Sequence, residues 1–175
     1  METSMKNNMQ YKQGFSLVEM LIYVAILSLI VSALVLTATS LLRTLAYMQT
    51  TSDITEAATV AIERITREIR FADAVNTGAS TLGTHPGTLV MSSIDENDNP
   101  TTVTISVSGG RIMFAEGSEA AAPLTHAGIT ISNLTFTHFT STETEAVRVE
   151  LTVEKNLRST TISKQFRTFV VLDAS

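Results

Sequence analysis

Cysteine and tryptophan are absent from this 175-residue chain, and proline occurs only three times. The lack of cysteine excludes disulfide bonds, thiol nucleophiles and cysteine-based metal sites, so a folded domain must be stabilised by packing. Basic residues are also scarce, with 12 Lys and Arg against 17 Asp and Glu and a formal net charge of −5. An acidic chain of this kind lacks the basic footprint of a protein that binds nucleic acid directly.

Glycine and proline are missing from the whole stretch 15–77. Nothing there forces a break, so the sequence predicts one long helix. Within it, residues 20–42 carry no charge and are apolar on every side, and as a helix they would be about 34 Å long, enough to cross a hydrocarbon core. We therefore expect a membrane-spanning segment at 15–43. The alternatives are a buried core helix and a signal peptide cut after Ala38, whose apolar region would exceed the usual ~7–15 residues.

The predicted helix beyond the membrane, residues 44–77, is amphipathic. Asp53 followed by Glu56 has the spacing of a capping box, so an interrupted helix near 50–53 and a continuous one both remain open. Apolar residues recur every three or four positions, which predicts a stripe that packs against a sheet. The stripe consists of Ile54, Ala58, Ile62, Ile65, Ile69 and Ala72.

Residues 78–175 contain glycines that mark turns, and segments in which apolar and polar residues alternate. This pattern predicts a β-rich domain. Alternating residues on both sides of Gly109 and Gly110 predict a hairpin over 102–115, followed by a loop at 116–128. The expected fold class is α+β, with the long helix packed on an antiparallel β-sheet. Further strands are predicted at 89–94, at 129–136 with a bulge near Ser132 and Asn133, at 147–153 and at 161–172.

One acidic residue, Glu19, lies at the start of the apolar segment. A carboxylate at mid-bilayer costs about 2.5–3.5 kcal/mol, and less near the interface. Glu19 could remain among the headgroups, close to the positive end of the helix dipole. Alternatively, a chain cut after Gly14 would carry a new α-amine on Phe15, which could neutralise Glu19 of a neighbouring molecule. The second interpretation makes Glu19 an assembly residue.

The N-terminal pattern resembles the prepilin class, which comprises type IV pilins, the pseudopilins of type II secretion and their relatives. The features that carry the resemblance are a basic leader with Lys6 and Lys12, then Gly14, then the run 15–21, then the apolar segment. The resemblance implies a pilin-like fold, a leader peptide at 1–14 and a structural subunit with no catalytic residues and no cofactor.

For the site residues, the resemblance implies cleavage between Gly14 and Phe15 by a prepilin peptidase, which also methylates the new amine of Phe15. It implies that Glu19 guides packing in a filament. The implied partners are other pilin or pseudopilin subunits, the prepilin peptidase, an assembly platform protein and the membrane. Lysines on the N-terminal flank favour a single-pass protein of the cytoplasmic (inner) membrane with an extracytoplasmic C-terminal domain.

The C-terminal part narrows the resemblance to minor pseudopilin J and the minor pilin W group. Its basis is the helical run 65–72, the Gly-Gly hairpin, the triplet 134–136 and the terminal segment 169–172. The subgroup implies a place at the filament tip, where it would prime assembly. The sequence does not distinguish among filaments that serve secretion, motility, adhesion or DNA uptake. Two alternative functions remain: a signal-anchored or secreted extracellular binding module of the adhesin kind, and an anchored hydrolase.

An acidic segment near residue 95 is similar to the start of a calcium loop, with candidate ligands Asp95, Asn97 and Asn99. Pro100 stands where such a loop needs glycine, and Ser106 stands where it needs a bidentate glutamate. A solvated turn is therefore the favoured prediction, and calcium the alternative. The three histidines lack metal-ligand spacing and are predicted to be surface or turn residues; they are His85, His126 and His138.

Overall fold

The computed structural model describes residues 14, 16–94, 99–142, 144–158 and 160–173. The chain divides into two compact units, Met1–Leu45 and Ala46–Ser175. Both contain residues of one helix, α1 (Leu17–Arg70). Neither glycine nor proline interrupts α1, as the sequence predicts.

In the first unit, α1 exposes its apolar side chains. None of the most apolar 18-residue stretch of the helix is buried in the described structure. By length and composition, α1 is the one helix among the described residues that could cross a membrane. The uncovered positions include Leu21, Ile22, Val24, Leu27, Leu29, Leu34 and Leu36.

Several serine and threonine hydroxyl groups in this part of α1 donate to carbonyl oxygens of the same helix. Ser32 Oγ donates to Ser28 O at 2.7 Å, and Thr37 Oγ1 donates to Ala33 O at 2.9 Å. A polar group in hydrocarbon must find an internal partner, because no water is present to bind it. These backbone hydrogen bonds make the serine and threonine side chains compatible with lipid.

The second unit contains two antiparallel sheets, where the sequence predicted one. The β-hairpin and the separate strands are confirmed, and the predicted loop 116–128 contains a short additional strand. The five-stranded sheet consists of β1 (Ala74–Val75), β2 (Leu89–Ile94), β3 (Pro100–Ser108), β4 (Arg111–Glu116) and β5 (Ala122–Pro123), in that order. The three-stranded sheet consists of β6 (Thr130–Thr140), β7 (Glu145–Leu157) and β8 (Thr160–Val171).

Two local devices of the β-rich part follow the sequence closely. Gly109 and Gly110 have φ angles of 58° and 72°, the left-handed values that a tight β3–β4 turn requires. The register of β6 against β7 shifts between Ile131 and Asn133, which confirms the predicted bulge. Both devices depend on neighbouring residues, which explains why the sequence predicts them.

A loop hydrogen-bonds to β6, which is an outer strand of the three-stranded sheet. The Gly83 N–H donates to Phe136 O at 2.8 Å, and the Gly87 N–H donates to Leu134 O at 2.9 Å. An ideal Cβ on Gly87 would lie 2.8 Å from the carbonyl oxygen of Leu134, so the loop can approach β6 only with glycine there.

The amphipathic stripe of α1 is confirmed. Ile54, Ile65 and Ile69 are fully buried, and Ile62 is partly buried. They belong to one hydrophobic cluster with residues from both sheets. Alanines widen the stripe beyond the prediction and allow close packing; the additional buried ones are Ala57 and Ala61.

The helix is continuous through residues 50–53, so the interrupted alternative is wrong. Thr50 Oγ1 donates to Ala46 O at 3.0 Å, within the helix. Asp53 does not serve as a helix cap there: its carboxylate accepts a hydrogen bond from Lys155 Nζ of β7 at 2.5 Å. A contact distant in sequence therefore uses the carboxylate that the local pattern assigned to a cap.

The helix ends at Arg70, earlier than the predicted residue 77. Asp73 N donates to Ser92 O at 2.9 Å, and Asn76 N donates to Val90 O at 2.9 Å. These bonds align β1 with β2, and the segment pairs as a strand instead of continuing the helix. The helix ends because the residues after it pair with β2. The absence of glycine and proline from this segment does not predict such tertiary pairing.

We expect Ile65→Ala to lower the free energy of unfolding of the second unit by about 2–5 kcal/mol, because it leaves a cavity at a fully buried position. The matched control is Val60→Ala on the same helix. Val60 is 52% exposed, so its truncation should change stability by less than about 0.5 kcal/mol. Thermal unfolding of the detergent-solubilised chain, followed by circular dichroism, tests the difference, and equal losses would contradict it.

Candidate processing and assembly site

The candidate site is the first turn of α1 and the residues before it. Met20 N donates to Ser16 O at 3.1 Å, so Ser16 occupies the N-cap position of the helix. Gly14 is exposed, and an ideal Cβ built on it meets no atom within 4 Å. Packing within the described chain therefore does not require glycine at this position.

Glu19 lies in the first turn of α1 and is exposed. The positive end of the helix dipole favours a negative charge at this position. Tyr23, one turn later, donates a hydrogen bond from its phenol oxygen to Oε1 of Glu19 at 3.3 Å. An ionised carboxylate has about four acceptor positions, so Glu19 can accept further hydrogen bonds from a cation.

This arrangement can bind a cationic group but shows no catalytic constellation. The carboxylate lies on an uncovered apolar helix, where a second helix or lipid could surround it. In such surroundings a carboxylate is stable only when it is paired. The chemistry that the site offers is therefore charge pairing during association.

Sequence comparison identifies this same segment. Residues 9–35 match the family model described as the prokaryotic N-terminal methylation motif. The chain carries a prepilin signature of the type IV pilin kind. This signature is typical of structural subunits of the pilin kind. No curated protein and no solved structure matches the chain.

The prepilin signature agrees with the fold. The apolar half of α1 and the match at 9–35 together fit a membrane-anchored protein that assembles into pili. Gly14 and Glu19 both fall within the matched segment. Phe15, Lys6 and Lys12 lie outside the described residues, so the predicted roles of Gly14, Phe15 and Glu19 stay predictions.

The weak calcium candidate also stays a prediction. Asp95 and Asn97 lie outside the described residues, and Asn99 is exposed just before β3. Ile94 pairs with Pro100, so the intervening segment connects two antiparallel strands. Within the part of the chain that the structure describes, no group of three His, Cys, Asp or Glu residues is arranged to hold a metal ion.

The histidines differ from the prediction at one position. His85 and His126 are exposed, as expected of surface or turn residues. The side chain of His138 on β6 is only 12% exposed, and its Nε2 lies 3.2 Å from Oε2 of Glu145. That oxygen also accepts a hydrogen bond from Val75 N at 3.2 Å, so the histidine belongs to a contact between the two sheets.

Sequence reasoning missed two residues at the candidate site, Ser16 and Tyr23. Ser16 and Glu19 have the S-x-x-E spacing of a capping box, and this signal was present in the sequence. Tyr23 follows Glu19 at the i,i+4 spacing, which places both side chains on one helix face. Both spacings are visible in the sequence, but the apolar segment was interpreted only as a membrane-spanning helix, so neither residue received a role.

Proposed function

We propose that the chain is a minor pilin or pseudopilin subunit of a type IV pilus or of a type II secretion pseudopilus. A prepilin peptidase cuts the precursor between Gly14 and Phe15 and methylates the amine of Phe15. The observation that carries the proposal is that the methylation motif at 9–35 coincides with an exposed Gly14 and the start of an uncovered apolar helix.

The uncovered half of α1 explains how one subunit can serve two environments. Before assembly, its apolar side chains contact lipid, and the protein is a single-pass protein of the inner membrane with its second unit outside the cytoplasm. During assembly, the same side chains pack against helices of other subunits. Because lipid and helix are both apolar, the transfer exposes no large hydrophobic area to water.

Glu19 determines the register in which these helices pack. A carboxylate among apolar helices needs a cationic partner, and the amine of Phe15 on another subunit has the required charge. A subunit in the wrong register would leave both charges unpaired. An assembly platform protein, driven by a cytoplasmic ATPase, would supply the work of assembly.

The finer assignment places the chain in the minor pseudopilin J and minor pilin W group, at the filament tip. It is supported by elements of the second unit on which the resemblance rests. These are the end of α1, the β3–β4 hairpin and the long terminal strand β8. The isolated position of the subunit at a tip would be tested by immunogold labelling of sheared filaments, where label at the ends supports it and label along the shaft contradicts it.

The cleavage proposal is tested by the N-terminus of the mature protein. We expect N-terminal sequencing and intact mass of the membrane-extracted chain to give methylated Phe15 as the first residue. The control is the same gene in a host without prepilin peptidase, where the leader should remain. A leader retained in the competent host contradicts the proposal, and an N-terminus after Ala38 would instead indicate a secreted binding module.

A further inference from the structure

We propose that Tyr23 is a positioning residue for Glu19: its phenol holds the carboxylate in the orientation that accepts the cationic partner during assembly. The inference rests on the proposed function and adds a residue to it. It begins from the hydrogen bond between the Tyr23 phenol oxygen and Oε1 of Glu19, which are 3.3 Å apart.

The direction of helical side chains makes this pair possible. In an α-helix the Cα–Cβ bonds tilt toward the N-terminus, and long side chains lie over the preceding turn. Tyr23 therefore leans back toward Glu19, which stands four residues earlier. The tyrosine is thus on the side of Glu19 from which a side chain can reach it.

The chemistry of the pair differs from that of other hydroxyls in this segment. Ser28, Ser32 and Thr37 donate to carbonyl oxygens of their own helix. Tyr23 donates to the one charged side chain between Lys12 and Arg43. A hydrogen bond to an ionised group is stronger than one between neutral groups, and its value rises where water is excluded.

The phenol does not compete with the proposed cationic partner. One donor occupies one of about four acceptor positions on the carboxylate, so the second oxygen and the remaining lone pairs stay available. By restricting the rotamers of Glu19 in the unassembled chain, Tyr23 reduces the entropy that must be lost when the pair with the amine forms. The expected consequence is more efficient assembly, not weaker assembly.

An alternative role for Tyr23 is that of an aromatic anchor at the membrane interface. The two roles differ in the group that they need, because an anchor uses the ring and a positioning residue uses the hydroxyl. Tyr23→Phe removes only the hydroxyl. Tyr47→Phe, on the same helix at a 55% exposed position, is the matched control.

The first test measures incorporation in a host that cleaves the leader and assembles filaments. Mature subunit in the sheared filament fraction is divided by mature subunit in the membrane fraction. We expect Tyr23→Phe to lower this ratio about five- to tenfold, which lies within the range of the net contribution of one ordinary hydrogen bond. Tyr47→Phe should leave the ratio at the wild-type value, and neither change should alter the amount of cleaved protein.

The outcomes separate this inference from the proposed function. Normal incorporation of Tyr23→Phe together with failure of Glu19→Val overturns the role of Tyr23 and leaves the subunit function intact. Normal incorporation of both variants overturns the assembly role of Glu19 as well. An equal loss for Tyr23→Phe and Tyr47→Phe would indicate a general need for phenol groups and would also overturn the inference.

A second measurement does not depend on assembly. The mature chain, labelled with 3-fluorotyrosine and placed in lipid nanodiscs, should give separate fluorine resonances for Tyr23 and Tyr47, assigned with the two phenylalanine variants. We expect Glu19→Val to shift the resonance of Tyr23 and to leave that of Tyr47 in place. An unmoved Tyr23 resonance would show that its phenol does not bind the carboxylate, and it would overturn the inference.

Discussion

Glu19→Val is expected to remove the chain from filaments while membrane insertion and leader removal continue normally. The valine is apolar and lies on an exposed helix face, so the substitution adds no cost in lipid. It leaves the amine of a neighbouring Phe15 without its partner in apolar surroundings. Breaking one half of a buried charge pair costs about 3–5 kcal/mol, so incorporation should fall at least about a hundredfold.

The measurement compares filament and membrane fractions for the wild type, Glu19→Val and Glu56→Val. Glu56 is an exposed glutamate of the second unit, and its replacement removes the same charge from the same helix. Only Glu19→Val should lose incorporation. Wild-type assembly of Glu19→Val would show that charge pairing does not direct this filament.

Gly14→Leu is expected to block maturation. Gly14 is exposed and an added Cβ meets nothing within 4 Å, so the substitution should not disturb the folding of the chain. The effect must therefore arise in the peptidase, whose pocket would have to admit a bulky side chain beside the scissile bond. Excess bulk in a fitted pocket lowers turnover by about tenfold or more, so uncut precursor should accumulate.

Immunoblots of the membrane fraction should separate precursor from mature chain. Gly78→Leu is the matched control: an ideal Cβ at Gly78 meets only Asn76 Oδ1 at 3.6 Å, an ordinary contact. This control should mature like the wild type. A correctly trimmed Gly14→Leu product would move the cleavage point away from Gly14 and contradict the proposed processing.

These two predictions concern residues whose roles are readable because they depend on spacing along the chain. A glycine, a phenylalanine, a glutamate and an apolar segment stand in fixed order at 14–42, and the motif match at 9–35 covers much of that order. The strands around Gly109 and Gly110 were readable for the same reason. A turn and its flanking alternation are set by residues that are neighbours in sequence.

The tertiary structure determined several features that the local sequence patterns did not predict. The helix ends at Arg70 because the next residues pair with β2, and Asp53 contacts Lys155 although its neighbours suggest a cap. His138 lies against Glu145 at the contact between the sheets and not on the surface. In the first two cases a partner that is distant in sequence outweighs a weak local preference. In the third, the pairing of β6 with β7 and the contact of Glu145 with Val75 enclose the histidine.

The sequence by itself therefore determined the apolar N-terminal helix, the acidic residue at its start, the α+β class and most strands. Only the tertiary structure divided the strands into two sheets, ended α1 and joined Asp53 to Lys155. The physical reason is the distance along the chain over which each kind of interaction acts. Hydrophobic periodicity and turn chemistry act over a few residues, whereas sheet edges and side-chain partners are chosen by contacts that form only when the chain has folded.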